Sequence, residues 1–377
     1  MRRRRRRWVA YGVGVLAVLL VGSGGVGWVL YTQLDGNITP DEAAAAELAR
    51  YAKERPAALV KDAQNVLVIG SDSRAGDGNG RYGTDSGTER SDTTILLHLS
   101  GGRHRATAVS LPRDLMVDVP ACRRPDGSRT RPVFAMFNHA FETGGSACTV
   151  RTVEKLTGVR VDHHVVVDFS GFEDMVDAVD GVKVCVAEPI VDKAAKLRLP
   201  AGEVTLDGKQ ALGYVRARKS LGDGSDTERM DRQQRFLAAL VDKVRSDGVL
   251  LNPVKLYPLL DAATSALTTD PELASLRGLY ELVRGLGDIP AEHVQFLTVP
   301  RESYVYNANR DQLVEPAAEK LFEQLRTDGP VAVSKKLPMN SGRVESGEHG
   351  PYILKGPSPS PPAPTFRGST AADGGCG

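Results

Sequence analysis

Carboxylates and arginines recur where strand-like runs of this chain end. Gly70-Ser71-Asp72-Ser73-Arg74 follows an apolar run, Arg90-Ser91-Asp92-Thr93 opens a second, and Leu111-Pro112-Arg113-Asp114 closes a third. In open α/β sheets, ligands gather at strand ends. Further on come Tyr214-Val215-Arg216-Ala217-Arg218 and Asp226-Thr227-Glu228-Arg229-Met230-Asp231-Arg232-Gln233. Arg216 and Arg218 share a face if their segment is extended. Arg229, Arg232 and Gln233 share one face near a helix start, where backbone amides also favour anions. Converging arginines need a bound anion, and converging carboxylates such as Asp72 and Asp92 need a cation. A hard divalent ion, Mg2+ (or Mn2+), held by those carboxylates and by phosphate oxygens satisfies both. The arginine fork binds two phosphate oxygens at once. The set therefore describes a pyrophosphate site. A surface of solvated ion pairs is the plainer reading of any one of these residues; their grouping beside turns and breakers favours a site.

Other chemistries lack their signatures. The chain contains no G-x-S-x-G and no H-E-x-x-H, and Gly208-Lys209 has neither the spacing nor the Ser/Thr of a P-loop. His163 and His164 point to opposite faces of a strand and do not chelate together.

The elements that must position these residues follow from periodicity. Asn65–Gly70 is a short apolar run ending in Gly, a buried strand. Residues 93–99 and 105–111 read as a hairpin around Gly101-Gly102. A helix over 148–157 ends at Gly158, followed by a strand over 164–169, a helix over 172–179 and a strand over 182–187. Residues 207–213 read as helical, and Ser225 with Glu228 resembles a capping box. The helix it opens carries Phe236, Leu237, Leu240, Val241 and Val244 on one face. Helical patterns run over 253–266, 271–285 and 310–326, with a strand near 293–299. This alternation predicts an α/β fold: a mixed central sheet with helices on both faces.

At the N-terminus, Arg2–Arg7 form a basic stub (1–7), and no charged residue occurs from Trp8 to Tyr31. Such a stretch makes about 36 Å of helix, enough for a ~30 Å hydrocarbon core. Trp8, Tyr11, Trp28 and Tyr31 sit near its ends, where amphipathic rings prefer the interface. A single-pass transmembrane helix over 8–31 is expected, with the arginines cytoplasmic and the rest outside; a cleaved signal would have a shorter apolar core. Residues 32–64 then read as a helical stalk, 65–330 as the catalytic domain and 331–377 as a disordered Pro/Ser/Gly-rich tail. The formal net charge of +1 includes those six arginines, so the remainder is acidic and nucleic acid is not expected as a partner. Export makes a Cys122–Cys148 disulfide feasible. Cys185, alternating within Val182–Val186, reads as a buried small apolar residue, and Cys376 falls in the tail.

The ordered series of motifs resembles the LytR-CpsA-Psr family. It includes Asp72-Ser73-Arg74, Arg90-Ser91-Asp92-Thr93, Pro112-Arg113-Asp114, Phe137-Asn138-His139-Ala140, Asp168-Phe169-Ser170-Gly171-Phe172, Ala211–Arg218 and Asp231-Arg232-Gln233-Gln234, spread over about residues 65–245. The resemblance implies a phosphotransferase that moves an anionic glycopolymer from a polyprenyl-pyrophosphate carrier to peptidoglycan. It implies Asp72 and Asp92 as metal ligands. Arg90, Arg113, Asn138, Arg216, Arg218, Arg229, Arg232 and Gln233 would face the pyrophosphate, with Arg90, Asp92, Arg113 and Arg218 catalytic. Asp226 is a further carry-over, and Asp92 or Asp114 would take the acceptor's proton. Two motifs depart from the family's pattern: Met136 precedes Phe137-Asn138 where many members have Lys, and Asp226-Thr227-Glu228-Arg229 keeps only the ends of Asp-Phe-Gly-Arg. Two rival readings are a hydrolase of the same lipid and a non-catalytic scaffold that binds carrier lipid or wall polymer.

Overall fold

The computed structural model describes residues 25, 27–71, 91–193, 195–217, 226–246, 252–334 and 363–374; within these, the side chains of Asp92, 226–228, Asp231, 245–246, 253–255 and 373–374 are not described. The chain opens with α1 (27–37), β1 (Thr39–Pro40) and α2 (Glu42–Arg50), then β2 (Gln64–Ser71), β3 (Ser91–Leu99) and β4 (Ala106–Leu111). A hairpin of β5 (Met116–Val119) and β6 (Val133–Met136) leads to α3 (His139–Thr157), β7 (His163–Asp168) and α4 (Phe169–Ala178). Four short strands follow, β8 (Val182–Val186), β9 (Ile190–Asp192), β10 (Leu197–Leu199) and β11 (Gly202–Leu206), and then α5 (Gly208–Arg216) and α6 (Asp226–Ser246). The remainder comprises α7 (Pro253–Ser265), β12 (Leu267–Thr269), α8 (Leu276–Gly287), β13 (Val294–Thr298), β14 (Arg301–Tyr304), β15 (Asn307–Leu313), α9 (Ala317–Arg326), β16 (Ala332–Ser334) and β17 (Thr365–Thr370).

The alternation expected of a two-sided sheet is present. Leu67 and Ile69 of β2 face one side, packing with α2, α3 and α9; Val66 and Val68 face the other, packing with residues of α8 and its approach. Among the described residues the central sheet runs β1-β12-β7-β2-β3-β4-β13-β17-β16. β2 pairs with β7 in parallel and with β3 antiparallel, and β4 pairs with β13 in parallel. This is the mixed sheet with helices on both faces that the sequence predicts. The C-terminal ends of β2, β4, β7 and β13 therefore lie along one edge of the sheet, beside the start of β3.

Several expectations are corrected. The stalk is part of the domain: α2 buries Ala44 and Leu48 in the core shared with α3, and Arg55 binds Glu154 at 2.8 Å. Its alanine-rich face matches the α3 surface, which composition alone does not reveal. Residues 307–313 form β15, not the start of a helix, because they pair with β14. Residues 365–370 of the tail form β17, seated between β13 and β16, with Phe366 buried; proline-rich composition conceals one alternating strand. Tyr214–Arg216 belongs to α5, with Ala217 its C-cap, so the segment is helical rather than extended at Arg216; Arg218 lies outside the described residues.

Cys122 and Cys148 are disulfide-bonded, with Cα atoms 5.5 Å apart. Gly144 allows this approach: a Cβ there would stand 2.9 Å from the Cys148 Cβ and 3.1 Å from the Cys122 Cβ. Cys185 is exposed and disulfide-bonded. Period two places it outward with Lys183 while Val182, Val184 and Val186 face the core, which corrects its reading as buried filler. The expected membrane span lies mostly outside the described residues; among those described, no helix is long and apolar enough to cross a membrane.

Candidate functional site

The sheet edge named above is where the site assembles. β2 and β3 pair Gly70 with Thr93 and Ser71 with Ser91, so a bulge leaves Asp92 as the extra residue on β3. Its backbone thus lies against the end of β2, one residue before Asp72. Asp72, Arg90 and Arg218 lie outside the described residues, and of Asp92 and Asp226 only the backbone is described.

Arg113 follows β4 through Pro112. Its carbonyl accepts from the Asn138 amide at 3.1 Å, and its Nε donates to Asp114 Oδ2 at 3.4 Å. Asn138 opens α3 and is buried. Its Nδ2 lies 3.5 Å from Glu142 Oε1, while its Oδ1 is buried with no hydrogen-bond partner among the described residues. A buried acceptor in that state is costly, by about 1–3 kcal/mol.

Arg216 is delivered by α5. Asp207 and Gln210 close a reciprocal capping box at the start of that helix. Gly208 lets it sit on α4, since a Cβ there would stand 2.3 Å from the Glu173 carbonyl oxygen. The Arg216 guanidinium lies 4.6 Å from the Phe169 ring centroid, a cation–π contact. Behind it Tyr214 is buried, and burial pushes its phenol upward against the opposing charges of Arg235 and Arg232.

α6 is fastened across the sheet edge by consecutive polar side chains. Gln233 Nε2 donates to Thr93 Oγ1 and to the Val215 carbonyl, each at 3.1 Å. Gln234 Nε2 donates to Ser110 and Thr298 hydroxyls, each at 3.3 Å. Arg232 donates to the Ala217 carbonyl. The structure thus puts Arg232 into the α5–α6 junction rather than into the cavity wall.

These elements enclose a cavity of about 460 Å³ between β2, β3 and β7 on one side and α4, α5 and α6 on the other. Arg113, Arg216, Arg229, Gln233 and Asp168 line it near the strand ends; Val68, Ile95, Phe172, Phe236, Leu237 and Leu240 line it farther along. From Arg229 to Leu240, α6 runs about 16 Å at 1.5 Å per residue. A slot with a cationic end and an apolar length suits an amphiphile with an anionic head. Asn138 and Arg232 do not belong to its lining.

Phe169, Phe172, Asp168 and Asp192, to which residue type and spacing alone assign no role, are all in the cavity wall. Asp168 caps α4, accepting from the Gly171 amide at 2.7 Å. Their signal was the Asp168–Phe172 motif. The apolar face of α6 was legible, but as core packing rather than as cavity wall. At the far end of β7, His163, Asp270 and Glu272 form the one metal-compatible group among the described residues, away from the cavity.

The LytR_cpsA_psr family model matches residues 34–327. The probable cell wall biosynthesis protein LcpB of Corynebacterium glutamicum is 40% identical over 210 residues, covering 54% of this chain and 47% of LcpB; the chain thus spans about half of that relative's length. The polyisoprenyl-teichoic acid–peptidoglycan teichoic acid transferase TagT of Bacillus subtilis (strain 168) is 30% identical over 334 residues, covering 84% of this chain and 95% of TagT. The fold is similar to that of TagT bound to LI-WTA, with TM-score 0.53, 26% identity, and coverage of 73% of this chain and 96% of that one. It is similar too to YwtF (TagT) with bound octaprenyl pyrophosphate lipid, with TM-score 0.50, 25% identity, and coverage of 73% and 96%. The chain belongs to the LytR-CpsA-Psr family.

Proposed function

We propose that this chain is a membrane-anchored phosphotransferase that moves an anionic glycopolymer from a polyprenyl-pyrophosphate carrier to peptidoglycan through a phosphodiester bond. The observation that carries this reading is the cavity, apolar along its length and headed by Arg113, Arg216 and Arg229. It has the polarity of a prenyl diphosphate. The names of TagT as a transferase and of its complex with octaprenyl pyrophosphate lipid support the same reading.

Phe172, Phe236, Leu237 and Leu240 would take the first isoprene units out of water, at roughly 25 cal/mol per Å² of apolar surface. Arg113, Arg216 and Arg229, with Arg90 and Arg218, would neutralise the diphosphate and the leaving polyprenyl phosphate. Gln233 holds α6 against β3 and so fixes the distance between Arg229 and the strand ends. Asp72 and Asp92 would hold Mg2+ (or Mn2+): the bulge that sets the backbone of Asp92 beside the end of β2 suits two hard oxygen donors. When bound, that ion adds positive charge at the diphosphate oxygens. A peptidoglycan sugar hydroxyl attacks the phosphorus that bears the glycopolymer. Its O–P bond forms, the bond to the polyprenyl phosphate oxygen breaks, and the proton passes to Asp92 or Asp114. Asp114, held between Arg113 and Arg310 at 3.4 Å each, is kept close to the cavity head.

The uncharged stretch 8–31 would anchor the domain outside the membrane, with the arginine stub inside. Trp28 and Tyr31, exposed and stacked at 6.3 Å on α1, suit the lipid–water boundary.

The test is incubation of the purified full chain with a synthetic polyprenyl-diphosphate glycan, Mg2+ and peptidoglycan fragments, followed by mass analysis. A phosphodiester adduct of glycan and acceptor is expected, and its loss in Arg113→Ala. Only free glycan phosphate, formed equally without acceptor, would make the protein a hydrolase and refute the reading.

A further inference from the structure

Two hairpins rise from the sheet edge that carries the site: β5–β6, after Arg113-Asp114, and β14–β15, after β13. They are joined side by side. The Asp311 amide donates to the Asp114 carbonyl at 3.1 Å, and Leu115 bridges to Asp311. Along them stand aromatic rings that the core does not use. Phe134 of β6 lies 6.1 Å from Tyr304 of β14, and Tyr304 lies 5.4 Å from Tyr306 at the hairpin tip. Phe134 is 52% exposed and Tyr306 85%. A ring strip of this kind in water marks an interaction surface.

We propose that this strip is the acceptor platform of the transferase, binding a glycan strand of β-linked amino sugars beside the cavity head. The inference rests on the function proposed above and adds where its second substrate lies. Three observations select a sugar chain. The strip is continuous with the site through Arg113, Asp114 and Arg310, where an attacking hydroxyl is required. The rings are interleaved with planar hydrogen-bonding groups. Gln312 Nε2 donates to Glu302 Oε1 at 2.8 Å, its Oε1 accepts from the Val305 amide at 3.3 Å, and Asn307 and Asn309 are exposed. Rings that offer an apolar face with polar edges suit a pyranose, whose C–H face stacks while its hydroxyls bond. Finally, a bilayer surface would need spare basic residues. On β14–β15, residues 301–313 contain no lysine, and Arg301 and Arg310 are engaged by Asp311 and Asp114, while the exposed Arg123, Arg124, Arg129 and Arg131 of the other hairpin lie in the loop between β5 and β6.

The test measures binding of soluble N-acetylglucosamine–N-acetylmuramic acid oligomers to the full chain in detergent, for the wild type and for Phe134→Ala/Tyr306→Ala. A dissociation constant raised at least tenfold is expected, with the thermal midpoint retained because both rings are exposed. Tyr306→Trp should keep the affinity, since stacking is retained. Tyr280→Ala, at an exposed tyrosine on α8, should leave binding unchanged. Equal glycan affinity in the double variant would overturn the proposal, as would loss of affinity in Tyr306→Trp. Loss of binding to phosphatidylglycerol vesicles in place of loss of glycan binding would assign the strip to the membrane and overturn it too. Glycan bound tightly by a wild type that performs no transfer would refute the transferase and leave the platform standing.

Discussion

Arg216 meets two surfaces, the Phe169 ring and the cavity, and a flexible ammonium cannot serve both. A charge-assisted hydrogen bond is worth about 1.5–3 kcal/mol, so Arg216→Ala should lower kcat/KM for the lipid donor by roughly 10- to 100-fold. Arg216→Lys should recover only part of it, since lysine neither forks nor stacks. Steady-state transfer kinetics check both; full activity in Arg216→Ala would contradict the assignment. Leu240 allows a complementary test at the apolar side. Leu240→Trp should fill that part of the cavity and slow transfer from long-chain donors while sparing donors with one or two isoprene units, read by competition between the two. The arginines were legible because their types and spacing demand an anion, and Arg113, Arg216 and Arg229 do line one cavity. Arg232 was not separable from Arg229 in sequence, because both lie on one helix face. Only the nearby Ala217 carbonyl, set by the end of α5, gives Arg232 a different partner.

β7 is tied to the edge of the sheet by two histidine–carboxylate contacts on opposite faces. His163 meets Asp270 at 3.2 Å and His164 meets Asp41 at 3.2 Å. Burial opposes the charge on His163, yet the bond and the charge of Asp270 outweigh it and hold this imidazole above its ordinary value. Burial likewise opposes the Asp270 anion, and the bonds from His163 and the His164 amide hold it below its ordinary value. The His163 contribution is therefore complete below about pH 6.5 and is lost as pH rises through the raised value. The Asp270 contribution is present above about pH 4 and is lost as pH falls through the lowered value. Thermal midpoints across pH 3–9 should show His163→Gln losing most stability relative to wild type near pH 5 and least above the histidine titration; a pH-independent difference would contradict the pairing. The same elements show what periodicity conveys. β2, β3, β4, β7, β8 and β13 were legible because short apolar runs, or alternation in β8, are written in their own residues. β15, Asn307–Leu313, has no β-branched residue and becomes a strand only because β14 returns beside it. β17 likewise depends on β13 and β16, which its own proline-rich flank does not announce.

The chain as a unit combines a domain proposed to face outward, one described disulfide of known pairing and a proposed anchor. Cys122 and Cys148 are 26 residues apart, and closing such a loop stabilises the fold by about 3.5 kcal/mol through the entropy it removes from the unfolded chain. Cys122→Ser/Cys148→Ser should lower the thermal midpoint by several degrees, and reductant should lower it further in wild type than in the double variant, which keeps only the Cys185 disulfide. Deleting residues 1–31 should release the protein from the membrane fraction of its host while the purified domain keeps its thermal midpoint; retention in the membrane would contradict the anchor. One cavity is proposed to take a prenyl chain along its apolar length and a diphosphate at its arginine end. A crystal structure of the protein with a polyprenyl diphosphate tests it most directly. Density for the tail is expected between β2, β3 and α6, reaching past Phe236, with both phosphates on Arg113, Arg216 and Arg229. A lipid bound elsewhere, or a cavity still empty at saturating ligand, would contradict it.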